Sequence, residues 1–374
     1  MSETAKILQF RPNRTTEVRS ASAVRELVMR YLASEGSERE PGFAAACLGD
    51  ADVLLGICRE LADRVNVDPP LVASEAQGVY RYLIHSRTKV GVFDEYDYFL
   101  GEAALLAAMA CRHLGQREAS EDWLLKAEAA FRHTVAPAAS LARASFERLA
   151  LQFDMRRYDR VLEGIPALIR SFDTLEMKRQ ALRTRFLEAM ALKDLGRLDD
   201  AGSCLESLGE EGALAEDVTL HGLVVAHHAE VLNATGRGED AIELIRQSLT
   251  SAAFANQPLV TAHLKVAAAE FLRSRENLPT AAELYRGAIA DYARVEMATQ
   301  VAYLRVVLAE ILLQLSRNRE AEWQIAAALP AIEEQKMVPE GFAAISLLRE
   351  SVRRRQTDSD ALKAIREHLA SKPN

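Results

Sequence analysis

The segment "LGRLDDA" at residues 195–201 returns 40 residues later as "TGRGEDA" (235–241), then as "RENLPTA" (275–281) and "LSRNREA" (315–321). Each ends on alanine: Ala201, Ala241, Ala281 and Ala321, with Val161 and Ala361 in the same register. A second series runs Ala189, Ala229, Ala269 and Ala309, and a third Leu192, Leu232, Leu272 and Leu312. Three small or apolar series sharing one period constrain the fold more than any other feature. They imply an array of supersecondary units, each unable to bury its apolar face alone and each stacked on its neighbours.

The unit reads as two antiparallel helices. Only 6% of residues are aromatic against 49% hydrophobic overall, and Ala and Leu dominate. These residues lose little freedom in a helix, and alternating β-branched runs of the strand type are nearly absent. Ala189 and its equivalents sit in the first helix, where a small side chain admits a close neighbour. Ala201 and its equivalents open the second helix at another close crossing. The turn needs a helix stop and a restart. Gly196 supplies the C-terminal cap, and Asp199 and Asp200 favour the next N-terminus. Pro279 serves the restart of "ENLPT", because its missing N–H is not needed in a first turn.

A small residue, a large apolar one three later, a Gly-type turn, Ala, then Leu205, Ile245, Tyr285 or Ile325 four later: this pattern resembles the tetratricopeptide (TPR) repeat. "AAELYRGAIADY", with Tyr285 and Ala288, matches its second helix best. TPR units are about 34 residues long, so a 40-residue period is more similar to the TPR arrays of bacterial regulators of the MalT and Rap type. The resemblance implies an all-α fold, an α-α superhelix of TPR-like helix pairs preceded by a short helical segment. It covers residues from about 135 onward clearly, with a less regular unit before it that places Gly115, Ala119 and Trp123 in TPR-like positions. Pro166 departs from the pattern inside a second helix and is expected to bend it, and the last unit departs at Arg349.

The expected organisation is a disordered tail at 1–20, a helical segment at 21–92, and an array of about seven helix pairs at 93–374. In the helical segment, "ASAVRELVMRYLAS", "GDADVLLGICRELADRV" and "LVASEAQGVYRYLIHS" carry helical periodicity, with Asp50 or Asp52 as a cap for the second. The first residues hold no secretory pattern and no window reads as a membrane span, so a cytoplasmic protein is expected.

Net charge is −8, which does not suit a general nucleic-acid binder. Cys47, Cys58, Cys111 and Cys204 form no CxxC and no disulfide framework, so buried free thiols are expected. "GRGEDA" at 236–241 follows a helical run rather than a strand and is no dinucleotide fingerprint. Walker A, HExxH and GxSxG motifs are absent. His221, His227, His228 and Glu230 are the densest potential metal group, but no third ligand is evident on one face, and ordinary helix histidines fit better. Neither an enzyme nor a cofactor is expected.

The resemblance places function on the concave face lined by first helices. Its register gives Arg143 and Phe146 in one unit, and Arg183, Phe186 and Lys193 in the next. Glu230 and Asn233 follow, then His263, Glu270 and Arg273, then Tyr303 and Glu310. Glu230, Glu270, Glu310 and Glu350 share one position in four successive units. Either each glutamate pairs with a basic neighbour, as Arg273 stands to Glu270 at i+3, or the ladder faces a ligand. Asn233 could exchange hydrogen bonds with an extended peptide or be a solvated helix residue. Phe146, Phe186 and Tyr303 could give contact area or fill core. The expected function is a protein- or peptide-binding scaffold or adaptor without nucleic-acid or membrane partners; self-association is compatible with it. The alternative is a TPR sensory regulator of bacterial signalling or transcription with residues 21–92 as effector head.

Overall fold

The computed structural model describes residues 21–34, 41–86 and 95–334, apart from Gly212, Ala213, Ala215 and Ala252. The expected tail at 1–20, most of the connector after 86, and the positions of Arg349, Glu350 and Ala361 lie outside them. The described residues form sixteen helices and no strand. None of these helices is long and apolar enough to cross a membrane. The chain divides into two compact units, one ending at Thr184 and one beginning at Arg185.

The first unit opens with α1 (Ala21–Ala33), α2 (Pro41–Leu48), α3 (Ala51–Arg64) and α4 (Pro69–Ser86). Asp50 caps α3, its Oδ1 accepting from the Asp52 and Val53 amides at 3.0 and 3.2 Å. α2 has no counterpart in the sequence reading, because "PGFAAACL" is too short and too uniformly apolar to show a period. The four helices share a core, built on Val53, Leu54, Ile57 and Leu61, with α5 (Tyr96–His113). α6 (Arg117–Phe131), α7 (Pro137–Asp154) and α8 (Tyr158–Thr174) complete the pairs of this unit. α8 continues through Pro166, whose ring is exposed, without the break that proline often imposes.

The division falls inside α9 (Lys178–Asp194). The second unit continues with α10 (Leu198–Gly209), α11 (Val218–Ala234), α12 (Gly238–Leu249), α13 (Pro258–Ser274), α14 (Leu278–Arg294), α15 (Ala298–Gln314) and α16 (Asn318–Glu334). The odd-numbered members are first helices of the 40-residue unit and the even-numbered are second helices. α13 packs on α14, α15 on α16, and α11 on the following first helix α13.

The three sequence series are where stacked helices meet. Ala189, Ala269, Ala309, Ala201, Ala241, Ala281 and Ala321 are all fully buried, and Ala229 nearly so. Leu205, Ile245, Tyr285 and Ile325 stand behind them in the core. The turn repeats as a backbone motif. Gly196 and Gly236 have φ of +76° and +83°, and in each case the next residue's amide reaches back to close the helix: Arg197 N to Leu192 O at 2.9 Å, Arg237 N to Leu232 O at 2.8 Å. This is the Schellman closure that favours glycine. Arg156, Glu276 and Ser316 occupy the same place at φ of 57° to 59° without being glycine. The restart is reinforced by Arg197–Asp200, Arg237–Asp240 and Arg317–Glu320 ion pairs at i+3.

Left-handed backbone is strained for residues carrying a Cβ. Glu276→Gly and Ser316→Gly should therefore each stabilise the fold by about 0.5–1 kcal/mol, and Gly236→Ala should cost a similar amount. Chemical denaturation of the three variants checks the sign, and destabilisation by either change to glycine would contradict the closure described.

Candidate functional site

In the first unit Arg143 and Phe146 serve packing. Arg143 on α7 makes a two-pronged pair with the buried Glu102 of α5, at 2.5 and 3.1 Å. The Glu102 carboxylate, opposed by the burial, raises the guanidinium's pKa. Truncating one partner of such a pair leaves a buried charge uncompensated. Phe146 packs against the cluster of Ala142, Phe172 and Met177. Arg183 is exposed.

The second unit brings the others together on its first helices. Lys193 at the end of α9 donates to Glu230 Oε2 of α11 at 2.9 Å. His227, one turn before Glu230, meets the same oxygen through Nδ1 at 2.9 Å and lies 3.1 Å from Lys193 Nζ. Its Nδ1 can serve one of them at a time: it donates to the carboxylate when it carries a proton and accepts from the lysine when it does not. The His227 ring packs on Phe186, centroids 5.6 Å apart. Burial pushes the Glu230 pKa up, but His227 and Lys193 outweigh it and hold the carboxyl well below the usual range. Glu230 Oε1 takes no hydrogen bond among the described residues, and the side chain keeps 36% of its surface open.

His263 of α13 extends this cluster. Its Nδ1 is 3.1 Å from the Tyr292 hydroxyl of α14, and the two rings meet edge to face. Burial, then the nearby His227, lowers its pKa to about 4, only partly offset by Glu230. The imidazole is neutral at pH 7, and in the tautomer with a bare Nδ1 it accepts a hydrogen bond from the tyrosine hydroxyl.

Further along, Glu270 is fully engaged. Oε2 pairs with Arg273 at 2.7 Å and Oε1 accepts from the Tyr285 hydroxyl at 2.5 Å. Burial lowers the Arg273 pKa, but Glu270, then Tyr285 and least of all Glu310 of the next first helix outweigh it and raise it. Tyr303 is partly buried against the α13–α16 core. Lys193 answers the glutamate of the next repeat, whereas Arg273, at the same register position, pairs with Glu270 of its own repeat. Asn233 holds that place between them. Its half-buried amide makes no hydrogen bond among the described residues.

His227, Tyr285 and Tyr292 join this cluster although none is on the first-helix stripe expected from the register: His227 was read only as part of a potential metal group and Tyr285 only as a repeat position. The two tyrosines sit on a second helix, seven apart, and only stacking turns their hydroxyls to the first-helix face. Ala226 and Val306, which share the register position of Phe146 and Phe186, are buried in the core. No group of three or more His, Cys, Asp or Glu that could hold a metal occurs among the described residues, and the ring of His221 packs on Phe254.

No protein-family model matches the sequence, and no curated protein does. Solved structures do. The complex of a Rap protein with competence and sporulation factor aligns with a TM-score of 0.54 at 14% identity, covering 94% of both chains. The apo form of RapI gives 0.53 at 15%, covering 71% of this chain and 93% of its own. The apo quorum sensor NprR from B. thuringiensis gives 0.51 at 15%, covering 82% and 84%. At such identities the likeness speaks for architecture, and by architecture the chain is an all-α, tetratricopeptide-like helical-repeat protein of the kind seen in the Rap and NprR structures.

Proposed function

We propose that the chain is a non-enzymatic peptide- or protein-binding module working through the first-helix face of its second unit. The observation that carries this reading is the set of Lys193, Glu230 and Asn233 on successive first helices, with Phe186 beside them. One carboxylate oxygen and one amide there lack partners among the described residues, while the surrounding groups are fixed by hydrogen bonds. An unpaired acceptor and an amide that both donates and accepts suit the backbone and side chains of an extended segment. Fixed neighbours keep the cost of ordering low on binding. One structurally similar Rap protein was solved in complex with competence and sporulation factor, which supports a binding role for this architecture.

Affinity capture with mass spectrometry, run on wild type and on Glu230→Gln and Asn233→Ala, tests it. A hydrogen bond to a charged group is worth about 1.5–3 kcal/mol, so Glu230→Gln should weaken a captured partner more than tenfold. Asn233→Ala removes a half-buried amide and should leave thermal stability nearly unchanged, whereas Glu230→Gln gives up the carboxylate's pairing with Lys193 and His227, so a thermal melt confirms that it is folded before capture. Recovery of every partner unchanged by both variants would contradict the reading.

The similarity to a quorum sensor over 82% of this chain favours a second reading, a sensory regulator whose α1–α4 segment passes the bound state on. The shared core with α5 means that deleting 21–92 would strip that helix. Charged substitutions at the exposed Met29 and Val67 are better probes. Loss of one captured partner with ligand binding kept would support a regulator.

A further inference from the structure

Two cations in the second unit show what their register position requires. Lys265 pairs with Asp291, 26 residues later, at 2.5 Å, and Arg185 pairs with Glu211, again 26 residues later. Where the first position is uncharged, as at Ser145 and Val225, the second is Ser171 or Ser251. Arg305 breaks the pattern, because its counterpart is Ala331. Among the described residues its Nη1 reaches only the Gln324 amide oxygen, at 3.2 Å, and its buried Nε has no acceptor. Burial lowers its pKa, with no carboxylate offsetting the loss of hydration.

The guanidinium lies over the ring of Trp323, 5.1 Å from its centroid. That ring is 60% exposed. The same position carries Glu163, Ser203, Glu243 and Glu283 in the other repeats, each exposed. It therefore faces outward wherever the repeat recurs, and a further repeat stacked on α16 would not cover it. Ala326, Ala327 and Pro330 continue the exposed apolar stripe along α16, where α12 presents Arg246 and Gln247. Tryptophan and arginine are the side chains that most often anchor protein interfaces.

We propose that the outer face of α16 is a second docking surface, on which a partner protein places a carboxylate against Arg305 and an apolar side chain against Trp323. The charge that Asp291 and Glu211 supply within the chain is here supplied by the partner. Glu320 and Glu322 on the same helix disfavour a polyanion such as nucleic acid, so the fitting segment carries one acid beside an apolar residue and not an acidic run. This surface is separate from the first-helix cluster and does not depend on it.

A displayed random dodecapeptide library, panned on the full chain, tests the assignment. Binders are sorted by loss of binding to Trp323→Glu, which restores the residue type of the other repeats and should fold normally. Peptides in that class should carry an Asp or Glu near an aromatic or large aliphatic residue, and Arg305→Gln should weaken them at least tenfold by fluorescence anisotropy. Arg305→Lys should recover part of the affinity, and Glu230→Gln should leave it unchanged. Binders that Glu230→Gln weakens and Trp323→Glu does not report on the first-helix face instead. The proposal falls if the sensitive class is empty, if its members show no acid, or if sedimentation shows that a second copy of the chain occupies the face.

Discussion

Acidification from pH 7 to pH 4 should cost the fold about 2 kcal/mol through His263. The imidazole is held neutral between Tyr292 of α14 and the His227 and Glu230 side chains of α11, with a pKa of about 4 in the fold against 6.5 for a free histidine. The unfolded chain therefore binds a proton that the folded chain refuses. Stability is complete above pH 6.5 and is lost as the pH falls toward 4, at about 1.4 kcal/mol per unit before solvent screening reduces it. Burial lowers His221 and His228 as well, so they add to the slope. The signature is then the difference between wild type and His263→Gln, which keeps an acceptor for Tyr292 and cannot titrate. Urea denaturation at each half unit of pH should show the variant flatter between 6.5 and 4. Glu230 acts in another window: its lowered pKa gives stability that is present above the ordinary carboxylate value and lost only below it. Parallel curves for wild type and His263→Gln would mean that the imidazole is not sequestered.

Gly222→Ala should destabilise by about 2 kcal/mol, although alanine is the better helix former by about 1 kcal/mol. A methyl group at Gly222 of α11 would stand 2.2 and 2.6 Å from the Val260 methyls of α13 and 2.9 Å from Val260 Cβ. The last distance matters most, since no rotamer change moves Cβ. The two first helices must separate, and overpacking of this kind costs about 1–3 kcal/mol beyond any propensity gain. Val260→Ala leaves a small cavity and is destabilising alone. Combined with Gly222→Ala it should recover at least 1 kcal/mol relative to additivity. Additive losses in the double-mutant cycle would show that the helices do not cross there.

The repeat, its turn and its close crossings were legible because each is a backbone requirement recurring at a fixed interval. Gly196 and Gly236 announce the left-handed turn, and buried alanines announce the crossings. Glu276 and Ser316 show that the turn persists where the sequence stops advertising it. Candidate site residues were legible only as register positions. The register placed Lys193, Glu230 and Arg273 on one face, and the i+3 pair of Glu270 with Arg273 was readable as local chemistry. It could not reveal that Tyr285 and Tyr292 reach that face, because their contacts cross between helices. Nor could it separate Arg143, bound to Glu102 about forty residues away, from Lys193 at a similar separation from Glu230. Glu102 is buried in the first pair, whereas Glu230 in the second is half-buried, a difference set by the stacking of neighbours.

Hydrogen exchange on the full chain, with and without the tightest-binding captured peptide, measures most directly whether the first-helix face is the binding site. The account predicts slower exchange in the last turns of α9, α11 and α13, around Lys193, Asn233 and Arg273, and no such protection in Glu230→Gln. Protection confined to other elements, or unchanged in that variant, would contradict it.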